Sequence, residues 1–132
     1  MPDIDPAKHK NIYRAIRTTR WYDTAARRVL SGAFILRPTD EGLSVLKHVE
    51  GCSRDVCLAD LNRCFGEFIL ETESVLALEF TIREDEENDP HYSENHAEIR
   101  GVPRPENAKA AEDAATSLAA LAQLHFDRCG RF

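Results

Sequence analysis

The side chains best suited to chemistry sit in three short stretches that otherwise read as core strand. Tyr13 and Arg14 lie within Ile12-Tyr13-Arg14-Ala15-Ile16, Ser44 follows Gly42-Leu43, and His96 and Glu98 lie within Asn95-His96-Ala97-Glu98-Ile99. Polar groups that interrupt an apolar pattern are where functional sites are expected. An arginine drawn into an apolar run needs an anionic or multi-acceptor partner, because desolvating a cation is costly. A ligand phosphate or carboxylate meets that need, and so does an internal Asp or Glu. Arg37, at the end of another apolar run, carries the same ambiguity. Ser44 is not in a Gly-x-Ser-x-Gly elbow, so its sequence context does not support a serine-hydrolase nucleophile. Its remaining chemistry is to orient a ligand by hydrogen bonding. On a strand His96 and Glu98 share a face. Such a pair can do acid–base work or hold a ribose hydroxyl, and can equally be an ordinary edge-strand pair.

Metal chemistry is not expected. The cysteines are Cys52, Cys57, Cys64 and Cys129; only Cys52 and Cys57, with four residues between them, reach the outer limit of knuckle spacing, and no second pair completes a zinc site. His91 and His96 flank an acidic, irregular stretch with no third ligand in sequence. The cysteines read instead as reduced, buried, small apolar residues, with Cys57 and Cys64 on one helix face beside Leu61.

The elements that must position these groups follow from periodicity and breakers. Pro2 to Lys10 reads as an arm or short helical turn. Strands are expected at Ile12–Ile16, within Val29–Arg37 (Ala33-Phe34-Ile35-Leu36, stopped by Pro38) and at Leu43–Val49. Thr18–Asp23 reads as a loop and Thr39–Gly42 as a turn. Ser53 is a suitable N-cap for a helix whose stripe is Cys57, Leu61, Cys64 and Phe65, with Gly66 as its terminator. Further strands are expected at Phe68–Leu70, Val75–Ile82 and His96–Val102. A solvated acidic loop separates the last two, within 84–95. An Ala-rich helix over 108–126 closes the chain, with Ala111, Ala115, Leu118, Leu121 and Ala122 on its apolar stripe and Leu124 at the margin. Helices and strands do not alternate strictly. The fold class expected is therefore α+β: one domain over 1–132, with a mixed or mostly antiparallel sheet and two principal helices.

Bulk properties narrow the partners. The 132 residues carry 30% charged and 42% hydrophobic residues, an ordinary globular balance. The net charge of −6 is unevenly spread: residues 1–66 hold 11 Lys+Arg against 8 Asp+Glu, and residues 67–132 hold 6 against 15. Arg14, Arg17, Arg20, Arg27 and Arg28 make a compact basic stretch suited to an anionic small molecule, or to the acidic second half of the chain itself. Overall acidity argues against general DNA binding. RNA binding is weakened by the sparse aromatic residues in the basic third. No apolar run is long enough to span a bilayer, and no apolar leader is present, so a cytoplasmic location is expected.

The set Tyr13-Arg14, Trp21, Ala33-Phe34, Leu43-Ser44-Val45, Cys64-Phe65-Gly66 and His96-Ala97-Glu98-Ile99 with Gly101-Val102-Pro103 resembles a group of small bacterial proteins without an assigned activity. More loosely, the layout resembles the ADP-ribosyltransferase superfamily, including the small RES-type toxin domains. That resemblance implies an NAD site: Arg14 on the diphosphate, Ser44 on the nicotinamide-side ribose, and Glu98, with His96 as its substitute, at the glycosidic bond. Tyr13, Trp21 and Arg37 would line the cofactor. The chain departs from that family in having no Ser-Thr-Ser strand and no Glu-x-Glu pair. Two functions are thus expected. One is an NAD-using or NAD-cleaving enzyme acting as a toxin or defence effector. The other is a non-catalytic module binding a protein partner, or a second copy of itself, through its Arg-rich and acidic surfaces.

Overall fold

The computed structural model describes residues 3–47, 64–85 and 95–132. Strands β1 (Asn11–Ala15), β4 (Leu43–Lys47), β5 (Gly66–Glu71), β6 (Thr81–Glu84), β7 (His96–Arg100) and β8 (Gln123–Asp127) form one sheet in the order β6-β7-β4-β1-β5-β8. Every pairing in it is antiparallel. A two-stranded ribbon, β2 (Tyr22–Asp23) with β3 (Arg28–Val29), stands apart from it. Helices α1 (Thr72–Ala77) and α2 (Ala108–Leu121) complete the described elements, and the α+β architecture with a mostly antiparallel sheet is the one expected. Among the described residues no helix is long and apolar enough to cross a membrane.

One face of the sheet carries Ile12, Ile16, Leu43, Phe68, Ile82 and Ile99, all essentially inaccessible to water, and builds the main core with α2 and the 3-10 turn Ser31–Phe34. The opposite face has a smaller cluster around Tyr13, Leu46 and Cys64. Helix α2 buries Ala111, Ala115, Leu118 and Ala119, spaced i, i+4, i+7 and i+8. A face this rich in alanine lets the helix approach closely, and it packs on the 3-10 turn, where Ser31 Oγ donates to Glu112 Oε1 at 2.7 Å.

Several local expectations are corrected. Ala33-Phe34 belongs to the 3-10 turn rather than a strand, because its buried pair faces α2 from a segment without a ladder partner. The run from Val75 to Ile82 is split. Its start continues α1, docked by Thr72 Oγ1 donating to the His9 carbonyl at 2.6 Å. Glu79, at φ 71°, then turns the chain, and only Thr81–Glu84 is strand. The C-terminal helix stops at Leu121. Gln123–Asp127 instead pairs with β5, since this edge needs a strand more than the helix needs another turn. Gly66 opens β5 and does not directly follow a helix: its φ is +152°, and a Cβ there would collide with the Phe126 carbonyl oxygen. Cys64 and Phe65 are not helical, and the rest of the expected 53–65 helix, with Cys52, Cys57 and Leu61, lies outside the described residues, as do 86–94 of the acidic loop and His91. Cys64 is buried, but Cys129 is exposed and not core. The N-terminal arm is tied down, with Ile4 N–H donating to the Ile82 carbonyl at 2.8 Å and Asp3 bridging to Arg83.

The feature that creates a site is a parting in the centre of the sheet. β1 and β4 pair only at Ile12–Lys47 and Tyr13–Leu46. Continued, the ladder would join Arg14 to Val45 and Ala15 to Ser44. Instead β1 stays with β5 as far as Ala15–Glu67, and β4 stays with β7 as far as Leu43–Ile99. The sheet therefore opens as a fork between its two halves.

Candidate functional site

The four residues that a closed ladder would have paired, Arg14, Ala15, Ser44 and Val45, all line a cavity of about 270 Å³. Ile35 and Leu46 give it an apolar floor, Trp21 a ring, and Arg17, Arg37, Asp40 and His96 its remaining polar wall. Because the strands have parted, the cavity draws on both sheet faces. Arg14 comes from the core-facing parity of Ile12 and Ile16, while Ser44 and His96 come from the other side.

Arg14 is half-buried at the fork. Its Nε donates to the Ala33 carbonyl at 3.0 Å and its Nη1 to the Ser44 carbonyl at 2.7 Å. Its guanidinium carbon stands 5.2 Å from the centroid of the Trp21 ring, within cation–π range. The 3-10 turn backed by α2 thus fixes one carbonyl, and the parted strand supplies the other. Among the described residues no carboxylate hydrogen-bonds to Arg14. Burial pushes its pKa down to about 10, against the pull of Asp40 and with the push of Arg17 and Arg37, so the group stays cationic at neutral pH. Asp40 is engaged elsewhere: its Oδ2 accepts from Arg37 N at 3.0 Å and Arg37 Nε at 3.1 Å, and its Oδ1 from Arg37 Nη2 at 3.2 Å. Arg104 ties the same turn by donating to the Pro38 and Asp40 carbonyls.

On the other wall, His96 links two groups. Its Nε2 is 3.1 Å from Ser44 Oγ, and its Nδ1 is 2.9 and 3.0 Å from the two oxygens of Asp85. A carboxylate can only accept, so Nδ1 carries the hydrogen and Nε2 is left to accept from the Ser44 hydroxyl. The positions follow from register. Glu84 pairs with Ala97, which brings Asp85, the next residue of the β6 path, opposite His96, and Asp85 N–H approaches the His96 carbonyl at 3.5 Å. Ser44 pairs with Glu98, so His96 lies diagonally across β4 and β7 from it, within reach of a long side chain. Exposure falls along the series: Ser44 is exposed, the His96 side chain is 26% accessible, and the Asp85 side chain 9%. An accessible hydroxyl, an imidazole and a buried carboxylate in this order form a serine–histidine–aspartate relay.

Of the residues singled out in sequence, Arg14, Trp21, Arg37, Ser44 and His96 meet at this cavity, and Tyr13 and Glu98 do not line it. Tyr13 is on the opposite side of β1 from Arg14, with its ring 5.4 Å from that of His125. Glu98 does share a face with His96, but its Oε2 accepts from Arg100 Nε at 2.8 Å. Asp85 is hidden in sequence as the second residue of the acidic run that Glu84 begins. The signal available was its place one alternation beyond Arg83 on a strand bound for the histidine strand. Among the described residues no group of three or more His, Cys, Asp and Glu side chains is arranged to hold a metal. No family model, curated protein or solved structure matches the chain.

Proposed function

We propose that the chain is a hydrolase or acyltransferase in which Ser44 is the nucleophile, His96 its general base and Asp85 the group that orients the imidazole. One observation carries this reading: the contacts from Ser44 Oγ to His96 Nε2, at 3.1 Å, and from His96 Nδ1 to Asp85, at 2.9 Å. In the first step Ser44 Oγ bonds to the acyl carbon as its proton passes to Nε2, and the carbonyl π electrons move to oxygen. Collapse of that adduct breaks the bond to the leaving group, which takes the proton back from Nε2. Water, or an acceptor hydroxyl or amine, then repeats the sequence on the acyl-serine and restores the hydroxyl. Asp85 holds the Nδ1 hydrogen throughout and stabilises the transient imidazolium. The Arg14 guanidinium, bonded to the carbonyl of the nucleophile's own residue, supplies positive charge near the adduct. The test is covalent labelling by a fluorophosphonate, in which Ser44 Oγ displaces fluoride from phosphorus. Labelling mapped to Ser44 and lost in His96→Ala supports the assignment; no adduct, or an adduct on another residue, defeats it.

A second reading is favoured by the meeting of Arg14, Trp21, Ser44 and His96 at one cavity. In it the chain is an ADP-ribosyltransferase-like enzyme that cleaves NAD. Arg14 takes the diphosphate, Trp21 a ring and Ser44 a ribose hydroxyl, with His96 standing in for the usual acid. Glu98, engaged by Arg100, has no part in it. Nicotinamide release that needs Arg14 but tolerates Asp85→Asn favours this reading over the first. Neither release nor thermal stabilisation by NAD removes it.

A further inference from the structure

We infer that the fork is a built anion site with Arg14 as its receptor, and that the substrate presented to Ser44 carries an oxyanionic group, a carboxylate or a phosphate. The substrate clause rests on the reading of Ser44 as nucleophile; the anion site stands on Arg14 alone. A guanidinium has five N–H donors in a planar fork. Here two of its nitrogens are committed, both to neutral carbonyls, Nε to Ala33 and Nη1 to Ser44. Among the described residues Nη2 has no hydrogen-bond partner. Carbonyls and an indole face orient a cation but do not neutralise it, and a buried cation is compensated well only by an anion with matching geometry.

The surroundings point the same way. Three arginines, Arg14, Arg17 and Arg37, line the cavity with Asp40, and both Asp40 oxygens are already taken by Arg37. Arg17 is exposed and makes no ion pair among the described residues, so it stands at the wall as a second cation. The guanidinium of Arg14 is pinned at 2.7 and 3.0 Å by backbone carbonyls and lies by Trp21, so little freedom remains to be lost when an anion docks. Arg14 and Ser44 line one cavity of about 270 Å³, so an anion held by Arg14 and an acyl group at Ser44 can belong to one small molecule. The substrate class is therefore an ester, thioester or amide bearing a nearby carboxylate or phosphate.

The experiment titrates the full chain at low ionic strength with inorganic phosphate and, separately, with acetate, reading melting temperature and heat. Wild type and Ser44→Ala are expected to show saturable binding of at least one of them. Arg14→Gln is expected to bind about tenfold or more weakly, as loss of a charged hydrogen-bond donor implies. Arg20→Gln, a change in an exposed arginine that does not line the cavity, should bind as wild type does. The phosphate and acetate arms identify which oxyanion the site prefers. A second measurement needs no variant: the bound anion should slow phenylglyoxal modification of Arg14, followed by peptide mass. The inference is overturned if neither anion binds saturably, if Arg14→Gln binds like wild type, or if Arg14 is modified equally fast with and without anion. Anion binding without Ser44 labelling removes the hydrolase reading and the substrate clause with it but leaves the anion site, whereas Ser44 labelling without anion binding removes the anion site and leaves the hydrolase reading.

Discussion

Replacing Asp85 by Asn tests the relay at its most buried member while leaving size and shape nearly unchanged. In the native chain both Asp85 oxygens lie 2.9 and 3.0 Å from His96 Nδ1, so the ring nitrogen has to be the donor. An Asn side chain presents either its oxygen or its NH2 group. If the NH2 faces Nδ1, the ring hydrogen moves to Nε2, and Ser44 Oγ meets a donor where it needs a base. The second loss is electrostatic. A unit-charge pair at 2.9 Å interacts by about 6 kcal/mol at an effective dielectric constant of ~20. His96 keeps a 26% accessible side chain, so solvent screens part of that figure and about 4–5 kcal/mol is the usable range. That corresponds to a slowing of roughly 10³–10⁴-fold in transferring the Ser44 proton. The assay is the second-order rate of fluorophosphonate labelling of Ser44, read by intact mass for wild type, Asp85→Asn and His96→Ala, with circular dichroism checking the fold. A wild-type labelling rate in folded Asp85→Asn refutes the relay. So does a loss no larger than about threefold, which is smaller than a misplaced tautomer can produce.

Two further outcomes concern the scaffold. Gly66→Ala should lower stability by about 3 kcal/mol or more in urea unfolding, because the backbone at φ +152° and the adjacent Phe126 carbonyl leave no room for a Cβ; a change under about 1 kcal/mol would mean that the β5–β8 edge adapts. Asp40 has its pKa held below the usual carboxyl value: burial alone would raise it, but the side-chain and backbone hydrogen bonds of Arg37, and the charges of Arg37 and Arg14, outweigh burial. In the window between its folded and unfolded pKa values the unfolded chain binds more protons. The stabilisation is therefore present above the unfolded value and fades as pH falls through the folded one. Melting temperature measured down an acid series should decline less steeply in Asp40→Asn than in wild type, and identical slopes would show that the Arg37–Asp40 turn adds nothing to acid stability.

How far the site could be read from sequence depended on which part of it is local. Arg14, Ser44 and His96 stood out because each breaks an apolar alternation, and that signal is complete within a few residues. Asp85 gave no such signal: one acidic residue within Glu84-Asp85-Glu86-Glu87 looks like any other solvated charge. Its role is set by a register, Glu84 against Ala97, that depends on two strands finding each other. Glu98 illustrates the converse. Alternation placed it on the face of His96 correctly, yet Arg100, two residues on, supplies a nearer cation and withdraws its carboxylate. The secondary-structure errors have the same origin. Ala33-Phe34 and Val75-Leu76 are short apolar runs that helix, turn and strand can all bury, and tertiary partners decide: α2 for the first, the His9 carbonyl at Thr72 for the second.

The parting of the sheet and the chemistry at it are best understood as one device. A ladder zipped to its end would pair Ala15 with Ser44 and put Arg14 against Val45, closing the space in which a substrate has to sit. Opening it deprives backbone groups on both strands of partners, which costs stability unless they are satisfied otherwise. Arg14 meets part of that cost by donating Nη1 to the Ser44 carbonyl, so the residue that keeps the fork open also closes one of its vacant hydrogen bonds. Its Nε does the same for the carbonyl of Ala33, in the turn that α2 presses onto the core. The arginine can do this only by giving up water, and the carbonyls it finds do not restore the charge balance. The same geometry that makes the fork structurally tolerable thus leaves a cation in want of an anion, at the same cavity as a histidine-backed hydroxyl. A neutral hydrogen-bonding side chain at position 14 should hold the fork by its carbonyl contacts and lose the anion, which separates the architectural role of Arg14 from its electrostatic one.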